Sequence, residues 1–123
     1  MAIERIDHVQ LGMPPGEEEE ARGFYVGVLG MTEIAKPPVL AARGGAWFQA
    51  GPVQLHLGVE QDFRPAKIAH VALAISGGQH LRKNLMAAGF PVRDDESIDG
   101  VRHFFTDDAF GNRIEFIEAK QRP

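Results

Sequence analysis

An internal repeat is the feature that most constrains the fold of this 123-residue chain. The stretch Ile-Asp-His-Val around His8 returns as Ile-Ala-His-Val around His70, at an offset of 62 residues (70 − 8). His56 and Glu115 stand at matching places in the two halves, at an offset of 59 residues (115 − 56). A repeat of this length indicates two copies of one supersecondary unit, so it takes precedence over any local assignment.

Each half of the repeat predicts the same order of elements: strand, helix, strand, strand, strand. Alternation of apolar and polar residues predicts the strands, and an apolar stripe at helical spacing predicts one helix in each half, ended by Gly30 and Gly89. In the first half we predict strands over 3–11, 31–34, 46–50 and 53–59 and a helix over 17–29. In the second half we predict strands over 67–75, 91–94, 101–106 and 113–118 and a helix over 79–88.

The repeat therefore predicts an α+β protein of two βαβββ modules, residues 3–60 and 66–118, within one domain, 1–123. The length favours one domain, because domains most often run to about 100–150 residues. A helix on one face of each sheet leaves the other face open. Two such sheets set edge to edge would form a shared concave surface, and we expect the functional residues there.

Composition excludes several classes of protein. The chain has no cysteine, which excludes a disulfide framework, a thiolate metal site and a cysteine nucleophile, and leaves His, Asp and Glu as metal ligands. The net charge is −4, and no basic patch favours nucleic acid. No apolar run approaches the roughly 20 residues that span a bilayer, and the charged N-terminus is unlike a signal peptide. We expect a cytoplasmic protein that binds neither nucleic acid nor a membrane.

Four polar residues occupy equivalent strand positions and are the candidates for chemistry. We predict His8 and His70 in the middle of each first strand, and His56 and Glu115 in the middle of each last strand. Polar groups on well-buried strands are unfavourable unless they are paired or bind a cation. Two His and one carboxylate match a non-haem Fe(II) site, and the same set suits Zn(II), Mn(II), Ni(II) or Co(II). An ion-pair network between Glu115 and the histidines is the alternative.

Other polar and aromatic residues are weaker candidates. His103 lies on a predicted strand with an ambiguous facing and is a possible proton shuttle. Arg113 shares a face with Glu115, which suggests that it orients Glu115 or binds a substrate carboxylate, or that it is an ordinary surface arginine. His80 is expected to be exposed at a helix start. Four aromatic residues are predicted core positions, with alternate members walling a pocket: Trp47, Phe48, Phe104 and Phe105.

Several segments together resemble the vicinal oxygen chelate superfamily over almost the whole chain, residues 3–118. They include the two histidine motifs, the helix sequence Phe-Tyr-Val-Gly-Val-Leu-Gly-Met and the closing strand Gly-Asn-Arg-Ile-Glu-Phe. The superfamily includes glyoxalase I, methylmalonyl-CoA epimerase, fosfomycin-resistance enzymes, extradiol dioxygenases and bleomycin-resistance proteins. The resemblance implies paired βαβββ modules that form a half-open barrel around a metal.

The resemblance also implies roles for the four polar residues. His8, His70 and Glu115 match the metal ligands of the superfamily, and His56 matches the fourth ligand position. Glyoxalase I has Glu at this fourth position and the epimerase has Gln, so the chain departs from both. Glu115 and His56 are the candidate catalytic residues, as groups that move a proton.

A function follows from this resemblance. It implies an enzyme that uses one divalent metal ion, Fe, Zn, Mn, Ni or Co, to chelate two neighbouring oxygens of a small organic substrate. Lyase or isomerase chemistry is favoured, and Fe(II) dioxygenation is second. A metal-free protein that sequesters a small molecule, as bleomycin-resistance proteins do, is the rival. The resemblance further implies a homodimer.

Overall fold

The computed structural model describes residues 1–95 and 102–118. The chain divides into two compact units, Met1–Arg64 and Pro65–Pro123. Each unit contains one four-stranded mixed sheet with a helix between its first two strands. The predicted α+β class with two βαβββ units is confirmed. No helix in the described part of the chain is long and apolar enough to cross a membrane.

The first unit has the strand order β1-β4-β3-β2, with β1 parallel to β4 and the other pairs antiparallel. Its helix α1 continues as a wider π-helical segment, in which Leu29 N–H donates to the Phe24 carbonyl, five residues back. A four-residue helix, Pro38–Ala41, lies between the strands predicted over 31–34 and 46–50, where we predicted no element. The elements are β1 (Val9–Met13), α1 (Glu18–Arg22, continuing over Gly23–Val28), β2 (Thr32–Ile34), α2 (Pro38–Ala41), β3 (Ala46–Ala50) and β4 (Val53–Val59).

The second unit repeats this topology, with the strand order β5-β8-β7-β6 and β5 parallel to β8. Val101, predicted to begin the third strand of this unit, lies outside the described residues. The elements are β5 (Val71–Ile75), α3 (Gly78–Ala87), β6 (Arg93–Asp95), β7 (Arg102–Asp107) and β8 (Arg113–Glu118).

The strand register confirms the sequence repeat. Gln10 lies opposite His56 across the parallel pair β1–β4, and Ala72 lies opposite Glu115 across β5–β8. Gln10 and Ala72 stand two residues after His8 and His70. The two histidines are therefore equivalent in their own units, as are His56 and Glu115.

The predicted mid-strand placement of His8 and His70 is wrong. Strands β1 and β5 begin only at Val9 and Val71, so each histidine directly precedes its strand. In the first unit the parallel register sets Val9 opposite Leu55, two residues after the start of β4 at Val53.

Each sheet buries one face beneath its helical segment. In the first unit Tyr25 stacks on Phe48 with ring centroids 5.1 Å apart. In the second unit Leu85 of α3 is fully buried. The alternate residues of the strands face the other way, and these include His56 and Glu115. The buried residues on the covered faces include Met13, Phe24, Leu55 and Leu57 in the first unit and Phe104, Ile114 and Phe116 in the second.

Candidate functional site

Glu115 is positioned by the turn that precedes β8. Asp108 Oδ1 accepts hydrogen bonds from the backbone N–H groups of Phe110 and Asn112, both at 2.9 Å. Its other oxygen accepts from the Asn112 side-chain amide, also at 2.9 Å. Gly111 completes the turn with φ of +87°, a conformation that glycine adopts readily. This closed turn gives a structural reason for the sequence Asp-x-x-Gly-Asn at 108–112, because the turn fixes the residue at which β8 begins.

Both oxygens of the Glu115 carboxylate face histidine nitrogens. Oε1 lies 3.0 Å from His70 Nε2, and Oε2 lies 2.7 Å from His103 Nδ1. Partial burial raises the pKa of the Glu115 carboxyl, but the contacts with His70 and His103 lower it, and the net pKa lies below its ordinary value. Glu115 is therefore ionised at neutral pH.

The hydrogen bonds of His70 determine which ring nitrogen carries a proton. Its Nδ1 lies 2.7 Å from the carbonyl oxygen of Ile68, and a carbonyl can only accept, so Nδ1 donates. In the neutral ring Nε2 then carries a lone pair that faces Glu115 Oε1. A lone pair facing a carboxylate oxygen is unfavourable unless a proton or a metal cation lies between them.

In the first unit His56 is buried within an aromatic stack. Its ring lies between those of His8 and Trp47, with centroid distances of 4.1 and 4.0 Å and interplanar angles of 14° and 6°. Its Nε2 donates to Gln54 Oε1 at 3.1 Å. Burial, and then the nearby His8, lower the pKa of His56. The ring is therefore neutral at pH 7, which is the form that binds metals.

His8 is held in the same way as its equivalent, His70. Its Nδ1 donates to Asp7 Oδ1 at 3.0 Å, which leaves Nε2 as the nitrogen with a lone pair. An imidazole that binds a metal through one nitrogen usually donates its other N–H to a carboxylate or a carbonyl. His8 and His70 both meet this description.

The structure brings the predicted residues together as two pairs, His8 with His56 and His70 with Glu115. Among residues 1–95 and 102–118, no group of three or more His, Asp or Glu side chains is placed to hold a metal ion. The 3.0 Å between His70 Nε2 and Glu115 Oε1 is the length of an ordinary hydrogen bond and also fits metal ligation. Two ligand atoms about 2.1 Å from one metal, at a right angle, lie about 3.0 Å apart.

His103 is a further candidate, whose facing the sequence left ambiguous. It is 4% exposed, and no described group bonds to its Nε2, which lies 3.9 Å from Asp95 Oδ1. Alternation along β7 places His103 and Phe105 on one face, and the register sets Phe105 opposite Glu115. In the sequence, alternation alone showed that His103 and Phe105 share a face of their strand. The cross-strand register was needed to show that Glu115 lies on the same face.

The structure also shows the surroundings of the remaining candidate residues. Arg113 lies with its guanidinium carbon 4.2 Å from the Phe105 ring centroid, and it donates to the Lys67 carbonyl rather than to Glu115. His80 is exposed, as predicted. Trp47 lies on the open face, whereas Phe48 and Phe104 are buried on the covered faces.

Two βαβββ units are the architecture that the resemblance to the vicinal oxygen chelate superfamily implied. The chain is 48% identical to a glyoxalase family protein from Bacillus anthracis, with a TM-score of 0.92 and 98% of each chain covered. The chain therefore belongs to the glyoxalase family, within the vicinal oxygen chelate superfamily.

More distant structures share the fold. The fosfomycin resistance protein FosX from Listeria monocytogenes is 13% identical, with a TM-score of 0.77, and the match covers 96% of this chain and 95% of FosX. A glyoxalase/dioxygenase from Nostoc punctiforme is 18% identical, with a TM-score of 0.73, over 95% of this chain and 92% of the other. No protein-family model matches the chain, and no curated protein matches it.

Proposed function

We propose that this protein is a metal-dependent enzyme acting on a small organic substrate with two neighbouring oxygens. His8, His70 and Glu115 bind one divalent metal ion, and His56 is the fourth ligand or a nearby base. The single observation that carries the proposal is the contact between His70 Nε2 and Glu115 Oε1, because an imidazole nitrogen and a carboxylate oxygen, two ligand types that divalent metals share, meet at 3.0 Å.

Support for the metal also comes from a relative with the same fold. A mutant of FosX from Listeria monocytogenes, 13% identical to this chain, was crystallised with Mn(II) and 1S,2S-dihydroxypropylphosphonic acid. Borderline and hard divalent ions such as Mn(II) accept mixed His and carboxylate ligands, which is the donor set of this chain.

The proposed chemistry is that of a lyase or isomerase, with Fe(II) dioxygenation as the second candidate. A divalent metal bound here supplies Lewis-acid polarisation of the substrate oxygens. His56, which is neutral and buried, is able to accept a proton from a substrate carbon. His103 donates to Glu115 Oε2 and so holds the carboxylate in one orientation.

Elemental analysis of the purified protein tests this proposal. We expect about one divalent metal ion per chain, followed by turnover of at least one compound in a panel of hydroxyketones, ketoaldehydes, epoxides and catechols. A protein that binds such compounds tightly but retains no metal after reconstitution with Fe, Zn, Mn, Ni and Co would instead be the metal-free sequestering protein.

Metal occupancy is expected to fall as the pH drops below about 6.5, because histidine must be neutral to bind a metal and its ordinary pKa is near that value. The lowered pKa of His56 keeps that ring neutral to lower pH, and the lowered pKa of Glu115 keeps the carboxylate ionised. Occupancy measured by equilibrium dialysis from about pH 8 to pH 5 checks this. A flat profile would contradict a histidine-rich centre.

We also propose that the protein is a homodimer, as the superfamily resemblance implies. Each four-stranded sheet has two edge strands, β1 and β2 in the first unit and β5 and β6 in the second, and an edge strand is able to pair with a strand of another chain. Light scattering at micromolar concentration should give twice the chain mass of 13.5 kDa. A monomeric mass at that concentration would refute the dimer.

A further inference from the structure

A cavity of about 210 Å³ lies beside His56, entirely within the first unit. Gln10 and Trp47 line it, and both neighbour His56: Trp47 stacks on the His56 ring, and Gln10 lies opposite His56 in the strand register. Pockets for drug-sized ligands usually measure roughly 300–1,000 Å³. This cavity is smaller than that range, so it fits one end of a small molecule, and its lining reaches Leu57, the residue after His56, without including His56 itself.

The polar lining of this cavity is cationic. Lys36 and Arg43 both line it, and no carboxylate is in its lining, although the Glu18 carboxylate accepts from the adjacent Gly45 N–H. Neither side chain forms an ion pair with any residue of the described chain. Lys36 Nζ donates to the Gly44 carbonyl, which leaves two of its three N–H donors for another partner. In a chain with a net charge of −4, two cations without an ion pair at one cavity, Lys36 half-buried and Arg43 exposed, make it a candidate site for an anionic ligand.

The segment that joins α2 to β3 is held in place at Gly45. Gly45 has φ of +86°, and a Cβ at this residue would lie 2.2 Å from the Leu57 carbonyl oxygen, so only glycine fits. The Gly45 N–H donates to Glu18 Oε2 at 2.9 Å, which ties the loop to helix α1. Arg43, two residues before Gly45, and Lys36, which donates to the Gly44 carbonyl, are therefore both connected to this constrained segment.

A second cavity does not share this excess of positive charge. It measures about 380 Å³ and lies within the second unit. Its two arginines, Arg82 and Arg102, are balanced by three carboxylates, and Arg82 is already paired with Asp94. The remaining carboxylates in its lining are Asp95 and Glu118.

We propose that Lys36 and Arg43 bind an acid group of the substrate, a carboxylate or a phosphate, while Trp47 forms a wall against its carbon chain. This inference rests on the proposed function and names its substrate class: a small anion with two neighbouring oxygens. Charge-assisted hydrogen bonds from ammonium and guanidinium groups suit either acid.

Trp47 is the single tryptophan of the chain, so its fluorescence reports on this cavity. The probes are glycerol phosphate, glycerate and uncharged glycerol, each titrated into the protein as purified, with calorimetry as a second readout. We expect saturable binding of at least one anion and at least tenfold weaker binding of glycerol. The phosphate and carboxylate arms show which acid is preferred.

The variants are Lys36→Gln, Arg43→Gln and the double change, and the control is Lys83→Gln, an exposed lysine in the second unit. The double variant should weaken anion binding by about tenfold or more, whereas the control should not change it. Circular dichroism confirms folding. Equal binding of glycerol and the anions, anion binding unchanged in the double variant, or no saturable binding by either method would overturn the inference.

Metal analysis on the same samples separates the two proposals. A protein that binds metal but shows no anion preference contradicts only the acid-group subsite. A protein that binds the anions through Lys36 and Arg43 but takes up no metal contradicts the proposed function instead.

Discussion

Replacement of Glu115 by glutamine is expected to lower metal affinity by more than about 100-fold. Changes to outer-shell partners of a metal typically cost 10–100-fold, and Glu115 is proposed as a direct ligand and the only carboxylate of the set. Glutamine keeps the size of the side chain and an oxygen that accepts from His103 Nδ1. Alanine would leave this nitrogen, in a 4% exposed ring, without a partner at a cost of about 1–3 kcal/mol.

A matched control lies on the same strand. Glu118→Gln removes a carboxylate three residues along β8 that accepts from the Gly78 N–H rather than from a histidine. We expect it to retain full metal affinity. Titration calorimetry with Mn(II) and Zn(II) measures both variants. Full occupancy in the Glu115 variants, Glu115→Ala included, would refute the whole metal site, with the roles of His8 and His70.

Changing His56 is expected to have the second-largest effect. If His56 is the fourth ligand, His56→Ala should weaken metal binding, and His56→Glu, which restores the carboxylate of glyoxalase I, should largely recover it. The equivalence of His56 and Glu115 in the strand register favours this outcome. If His56 is only a base, His56→Ala should leave metal content intact and lower turnover by a factor of about 10²–10⁴.

The aromatic stack requires a further control for His56. Its ring packs between His8 and Trp47, so His56→Ala also removes the surface that holds His8. His56→Phe keeps a flat ring in this place and removes both nitrogens. We expect His56→Phe to weaken metal binding as much as His56→Ala. Metal loss in the alanine variant alone would show that His56 acts by packing and would contradict the ligand role.

The sequence alone determined the repeat and the strands with the clearest alternation. The predicted bounds of the last strand in each unit, 53–59 and 113–118, agree with the structure. Gly30 and Gly89 end their helical segments with positive φ, as predicted. These features depend on local chemistry, since side-chain alternation and the conformational freedom of glycine are properties of a few consecutive residues.

The tertiary structure alone decided where β1 and β5 begin, because the first paired residue of a strand is set by its pairing with a distant segment, whereas side-chain alternation continues through His8 and His70. It also decided the surroundings of the candidate site. Alternation shows that His103 and Phe105 share a face, but only the register of β7 against β8 places that face over Glu115. The stack of Trp47 on His56 has the same origin. Contacts across strands depend on pairing between distant segments, and no local pattern in the chain encodes that register.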